Sequence, residues 1–324
     1  MWILWASGPG HPRRSRGNAT GLSFVEQPMG SKRFYISGSV LILLALLAGA
    51  CARITVGRGE DGRIEYRRGS EDLVLQVHSG GGFVPLVWHL RELPLFSLYG
   101  DGRVIIQGPQ IAIYPPPALP SLLERHVSDE GIQAILKAAR DAGLEGSDRR
   151  YEELEETDLP TTTFTVVAGG QTHRTTVYGL GEAPEYVPAR DREARGKLFE
   201  FQSDLLDLET WLPEGSVGPD RSYEYDRLTL FVVPTSEGGG DFAGDEQLEP
   251  SREEWPLPGP LSAFGEPLPN TPDVRCGTVE GPHLKEILAA AGAASVETVW
   301  QSGGDVHLIA FRPLLPGEPP CPGQ

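Results

Sequence analysis

Glycine and proline punctuate this chain so densely that long regular elements are ruled out for most of it. The 40 Gly and 29 Pro make up more than a fifth of its 324 residues. Glycine admits the positive φ of tight turns and proline removes a backbone donor, so the apolar runs between them stay short. Apolar residues amount to 39%, enough for ordinary cores, and the length suits two domains rather than one. The expected fold class is α+β, with two small domains, each with β-hairpins packed against one or two helices.

The strongest local signal is a hairpin. Phe96-Ser97-Leu98-Tyr99 and Arg103-Val104-Ile105-Ile106 flank Gly100-Asp101-Gly102, and Asp-Gly between two apolar runs favours a tight β-turn. Ahead of it, Leu73 to Val77 reads as a strand broken by Gly80-Gly81-Gly82, and behind it Tyr114-Pro115-Pro116-Pro117 reads as an extended loop. Ser128 is placed to cap a helix with Asp129 and Glu130 in its first turn and Ile132, Ile135, Leu136 and Ala139 on one face. The acidic run Glu152 to Asp158 reads as solvated loop. Thr161 to Val167 is a β-branched strand that turns at Gly169-Gly170 into a second hairpin. Leu198, Phe201, Leu205 and Leu208 share a helix face that Pro213 stops.

The second half repeats the order. Leu228 to Val233 is a strand, Pro282 starts a helix bearing Leu284, Ile287, Leu288 and Ala291, and a last hairpin turns at Gly303-Gly304. The predicted organisation is an N-terminal domain over 72–213, a linker over 214–223 and a C-terminal domain over 224–324. A Gly-rich acidic insertion at about 235–254 is expected to be disordered.

Near the start, Lys32-Arg33 precede an apolar run, Phe34 to Ala50, that closes on the small residues Ala48-Gly49-Ala50. That is the order of a secretory signal. Its clean apolar part falls short of the roughly 20 residues of a spanning helix. Leu47-Ala48-Gly49-Ala50-Cys51 resembles the lipobox of bacterial lipoproteins, with Ala48 standing where that family commonly has Leu. The resemblance covers residues 29–51. It implies a signal peptide over 29–50, lipidation at Cys51 and a location at the extracytoplasmic face of the cell membrane, and the charged, Gly-rich stretch that follows reads as a tether over 51–71. The implied partner is the lipid bilayer, reached through N-terminal acyl chains, since two or more chains anchor stably. Met29-Gly30-Ser31-Lys32-Arg33 makes an ordinary start for such a signal, so residues 1–28 read as an extension called in error. The helix-then-hairpin order also resembles small α+β modules of bacterial lipoproteins of uncharacterised function, a likeness that carries no functional residues across.

With Cys51 lipidated, Cys276 and Cys321 remain, and thiols of exported proteins oxidise in pairs. Closing a loop of that size is worth about 4 kcal/mol in the chain-entropy model. Two free thiols are the other reading.

The net charge is −17. Residues 1–51 hold five of the basic residues and one of the acidic, so without them 23 basic face 44 acidic and the net is −21. Such a chain repels phosphate backbones, which excludes nucleic acid as a partner, and only lipid would hold it at an anionic membrane.

Catalytic motifs are scarce: the sequence has no Gly-x-Ser-x-Gly, no Walker loop and no His-Glu-x-x-His. No cofactor is expected. The best catalytic combination is His89, Glu92 and His126, because a carboxylate beside an imidazole tunes a general base. Pro94 argues against the helix that would join the first two, and the reading favoured is surface or cap roles, with no catalytic residue assigned. Asp241, Asp245 and Glu246 fall short of a calcium loop, so no metal site is assigned either. Of the aromatic residues near Gly/Pro loops, Trp88 and Tyr114 are the candidates for a binding patch, facing a cell-envelope protein or glycan. The expected function is that of an exported, lipid-anchored cell-surface protein with a non-enzymatic binding or structural role. The alternatives are an extracytoplasmic hydrolase with an unrecognised motif and an extracellular protease inhibitor, which should present a loop beside a Cys276–Cys321 bridge.

Overall fold

A computed structural model describes residues 62–152, 154, 156–183, 185–235 and 251–321. The expected extension, signal peptide and Cys51 lie outside the described residues, as do Asp241, Asp245 and Glu246. In chain order the elements are β1 (Leu73–Gly80), α1 (Leu86–Leu90), β2 (Phe96–Tyr99), β3 (Arg103–Gln107), β4 (Leu122–His126), α2 (Asp129–Asp141) and β5 (Arg149–Tyr151). Next come β6 (Thr161–Ala168), β7 (Gln171–Tyr178), α3 (Arg192–Leu206), β8 (Arg221–Ser222) and β9 (Arg227–Pro234). The last are β10 (Arg252–Glu254), β11 (Glu266–Leu268), β12 (Thr271–Glu280), α4 (Gly281–Ala291), β13 (Val299–Ser302) and β14 (Asp305–Pro313).

The strands form two sheets, so the fold is mixed α+β. The first sheet is ordered β5-β7-β6-β1-β2-β3-β4-β8 and the second β10-β13-β14-β9-β12-β11. Neighbours run antiparallel except for β5 with β7 and β10 with β13. Both sheets belong to the compact unit Thr55–Gln324.

In the first sheet β6 alternates strictly: Thr162, Phe164, Val166 and Ala168 are buried and the residues between them are not. Its inner face meets Ile135, Leu136 and Ala139 of α2 and Leu198, Phe201 and Leu205 of α3 in one core, with the rings of Phe164 and Phe201 6.3 Å apart. The Ser128 hydroxyl caps α2 by accepting from Gly131 N–H at 3.3 Å. In the second sheet β9 is buried at Leu228 through Val232 without a break, because both faces are covered. Leu228, Leu230 and Val232 pack with Leu284 and Ile287 of α4 and with Trp300. Phe231 points the other way, into a cluster with Val87 of α1, Ala310, Cys276 and Cys321. Cys276 and Cys321 are joined by a disulfide.

Three connecting segments make contacts of their own. Within the expected tether, Ile64 is buried, and its backbone N–H and C=O bond to the Gln133 side chain on α2. Arg63, Tyr66 and Arg68 converge there on Asp129. Within the expected linker, Val217 bridges Val127, and Gly218 N–H donates to His126 O at 2.8 Å. At the end of the range expected for the insertion, Arg252–Glu254 form β10. Trp255 explains why: its ring lies edge-on to Phe264 at 5.8 Å and to Trp300 at 6.4 Å, anchoring the returning chain.

Candidate functional site

The halves meet where the chain leaves β1. Gly81 and Gly82 adopt φ of 93° and 90°, a region that favours glycine, and turn the backbone toward α1. The helix that Pro94 argued against does form, but it stops at Leu90, short of the residues the proline restricts. Glu92 lies beyond its end and still reaches back. Its Oε1 is 3.0 Å from His89 Nδ1 and accepts from Gly81 N–H at 3.0 Å. Its Oε2 is 3.9 Å from His78 Nε2, within ion-pair range but too far for a hydrogen bond. One carboxylate thus stands between two imidazoles. Gly80 makes room for it: a Cβ there would lie 2.0 Å from Glu92 Oε2 and 2.9 Å from His78 Cε1. Burial holds the His78 imidazole below its ordinary pKa, aided by Arg312 and opposed by Glu92 and Glu318.

These groups line a cleft of about 340 Å³ whose remaining walls are Leu90, Thr229, Phe231, Arg312, Glu318, Pro319 and Pro320. Arg312 clasps the cleft together. Its Nε donates to Glu92 O at 3.0 Å, and its two terminal nitrogens grip Glu318 at 2.7 and 3.0 Å, the bidentate geometry that makes such pairs strong. The Thr229 hydroxyl donates to Pro320 O at 2.7 Å. The cleft is therefore built from three distant parts of the chain: the end of β1 with α1, the paired strands β9 and β14, and the C-terminal tail.

The structure splits the combination His89, Glu92 and His126. The first two meet, whereas His126 Nε2 lies 2.9 Å from Asp101 O and props the turn between β2 and β3. His78 takes its place, a residue that sequence reasoning passed over. The one signal for it was its position two residues before the glycine run. Trp88 and Tyr114 rest on different supports. Trp88 packs partly buried against the disulfide cluster with the Arg91 guanidinium 5.5 Å from its ring. Tyr114 is 59% exposed and donates to Glu297 at 2.5 Å. Phe83, 92% exposed, lies in the loop that feeds α1.

A larger hollow of about 580 Å³ lies at the start of α3, lined by Leu154, Glu156, Tyr186 and Arg192, but Arg192 Nε is spent on Val187 O at 3.0 Å. Among the described residues no three acidic, histidine or cysteine side chains are placed to hold a metal ion, and no helix is long and apolar enough to cross a membrane. What the cleft offers is hydrogen bonding and proton exchange at two imidazoles against an apolar floor. No protein-family model, curated protein or solved structure matches the chain.

Proposed function

We propose that this chain is an exported bacterial lipoprotein, held at the extracytoplasmic face of the membrane by acyl chains on Cys51, and that it binds a cell-envelope ligand in the cleft formed by His78, His89 and Glu92. Two small α+β domains, 72–213 and 224–324, meet at that cleft. The observation that carries the binding reading is the state of the cleft's groups. Its one hydroxyl, Thr229, gives its proton to Pro320 O, and the neighbouring cysteines are tied in a disulfide. The lining thus presents hydrogen-bonding imidazoles beside an apolar wall rather than a primed nucleophile. Lipid anchoring rests on the signal and Cys51 of the sequence.

Two rival readings each have one observation behind them. The 3.0 Å contact of His89 Nδ1 with Glu92 supports a hydrolase in which Glu92 orients His89 as general base toward water. The exposed Phe83 loop, which runs into α1 next to the disulfide cluster, supports a protease inhibitor. The experiment that tests the anchor is expression of the full chain in a bacterial host, followed by intact mass of the membrane fraction without reductant. The expected mass is that of residues 51–324 plus lipid, two hydrogens below the all-thiol value. A full-length mass, or membrane association that survives Cys51→Ala, would overturn the anchor.

A further inference from the structure

The tail that closes the cleft is fastened at few points. Beyond β14, Leu314 and Leu315 are buried, and Glu318 turns back on Leu315, its N–H donating to Leu315 O at 3.1 Å and its Oε2 accepting from Leu315 N–H at 3.1 Å. Toward the rest of the protein, the stretch that walls the cleft, Glu318 to Pro320, is held by the Arg312–Glu318 pair, by the Thr229 hydroxyl on Pro320 O and by one covalent bond. The covalent bond is Cys276–Cys321, directly after Pro320. Cys276 itself needs no tail to stay in place, because β12 is paired with β9 on one side and β11 on the other. The two cysteines are 2% and 4% exposed, so once the bond is closed an external thiol has little access to it.

We infer that oxidation of Cys276 and Cys321 is the step that assembles the cleft: in the reduced chain the second sheet is formed, the strap Glu318–Pro320 is loose, and His78 and His89 stand open to solvent. The inference rests on reading this cleft as the binding site, and makes that site available only after the chain has reached an oxidising compartment. The chemistry is thiol–disulfide exchange with a disulfide-bearing oxidant. One sulfur–sulfur bond forms between Cys276 and Cys321, the oxidant's own disulfide breaks, and two electrons and two protons leave the protein to make a dithiol.

The test compares the full chain in three forms: oxidised, reduced with dithiothreitol to a titrated count of two thiols at Cys276 and Cys321, and as the Cys276→Ala/Cys321→Ala double variant. The probe is diethyl pyrocarbonate, with modification of each histidine followed by peptide mass. His78 and His89 should react at least about threefold faster in the reduced and variant forms. His283, exposed on α4, should react at an unchanged rate, and the near-UV signal of buried Trp300 should persist. Equal rates at His78 and His89 with two free thiols would overturn the inference. Loss of the Trp300 signal on reduction would overturn it too, since the bond would then be holding the sheet rather than the strap. Failure of the binding reading shows differently: His89→Gln would leave retention on isolated cell-envelope glycan and peptide fractions unchanged, whatever the redox state.

Discussion

β6 and β9 are both eight-residue strands at the heart of a sheet, yet they bury themselves in opposite ways. β6 alternates, with Thr163 and Thr165 outward and Phe164 and Val166 inward, whereas β9 is buried through five consecutive residues, Leu228 to Val232. The first pattern belongs to a sheet with one covered face and the second to a sheet covered on both. What covers the second face of β9 is α1, contributed by the N-terminal half, together with the disulfide-held tail of its own half. The difference teaches that the halves are not two copies side by side. Tyr99 and Ile105 of the first sheet in turn pack with Leu315 of the tail, so each sheet takes cover from the other half, and the cleft lies where the borrowed α1 meets the second sheet.

The largest effect separates the strands directly. Phe231→Asp would bury a charge, without a partner, between two packed layers and should cost more than about 4 kcal/mol, seen as loss of cooperative unfolding in urea. Thr165→Asp on the open face of β6 stands opposite Arg174 and should cost about 1 kcal/mol or less, with the cross-strand charge offsetting the poor strand propensity. Similar losses at both sites would mean that the outer face of β6 is also covered.

The next effect comes from the staple. The two cysteines are 45 residues apart, and in the chain-entropy model opening such a loop costs about 4 kcal/mol. The midpoint in denaturant should fall on reduction or on Cys321→Ala. If unfolding of the two sheets is followed by separate probes, Trp300 should register the shift more strongly than hydrogen exchange in α2. An equal shift at both would show that the borrowed layer couples the sheets into one cooperative unit.

Much of the first sheet was legible because its determinants are local. Asp101-Gly102 set the β2–β3 turn, the Thr-rich alternation set β6, and Ser128 set the start of α2. Sequence also pointed to the meeting of His89 and Glu92. The replacement of His126 by His78 was not legible, since it depends on where the β1 backbone runs relative to α1, and no periodicity records a contact between a strand end and a distant helix. The coverage of β9 by α1 escaped for the same reason. Its apolar run announced that both faces are buried but not by what. Charged, Gly-rich composition reads as tether or disordered insertion, whereas single residues, Ile64 and Trp255, suffice to pin the described parts of those segments.

A smaller effect tests whether the α2 side of the first sheet is independent of the cleft. Ser128→Ala removes the hydroxyl that accepts from Gly131 N–H and should cost about 1 kcal/mol. The loss should appear in thermal unfolding of the full chain and leave reactivity at His89 untouched, because α2 lies in the core of the first sheet and not among the walls of the cleft. A change at His89 would break the separation between the two regions.

The smallest effect is one of slope and reads the seam itself. His78 is held below its ordinary pKa chiefly by burial, with Arg312 acting in the same sense and Glu92 and Glu318 against it. The folded state therefore takes up this proton less readily than the unfolded chain. Its contribution to stability is complete above about pH 6.5, the ordinary value, and is lost progressively as the pH falls below it. His307 on β14 is lowered in the same direction by burial, so a decline in acid alone does not identify the seam. The decisive quantity is the difference between the native chain and His78→Gln, measured as unfolding free energy in urea at pH 8 and pH 5.5. The variant should show the shallower decline, with the slope that remains belonging to His307. Parallel declines would mean that Glu92 and Glu318 cancel the cost of burying His78, and that the borrowed layer carries no proton-linked strain at the point where it meets the second sheet.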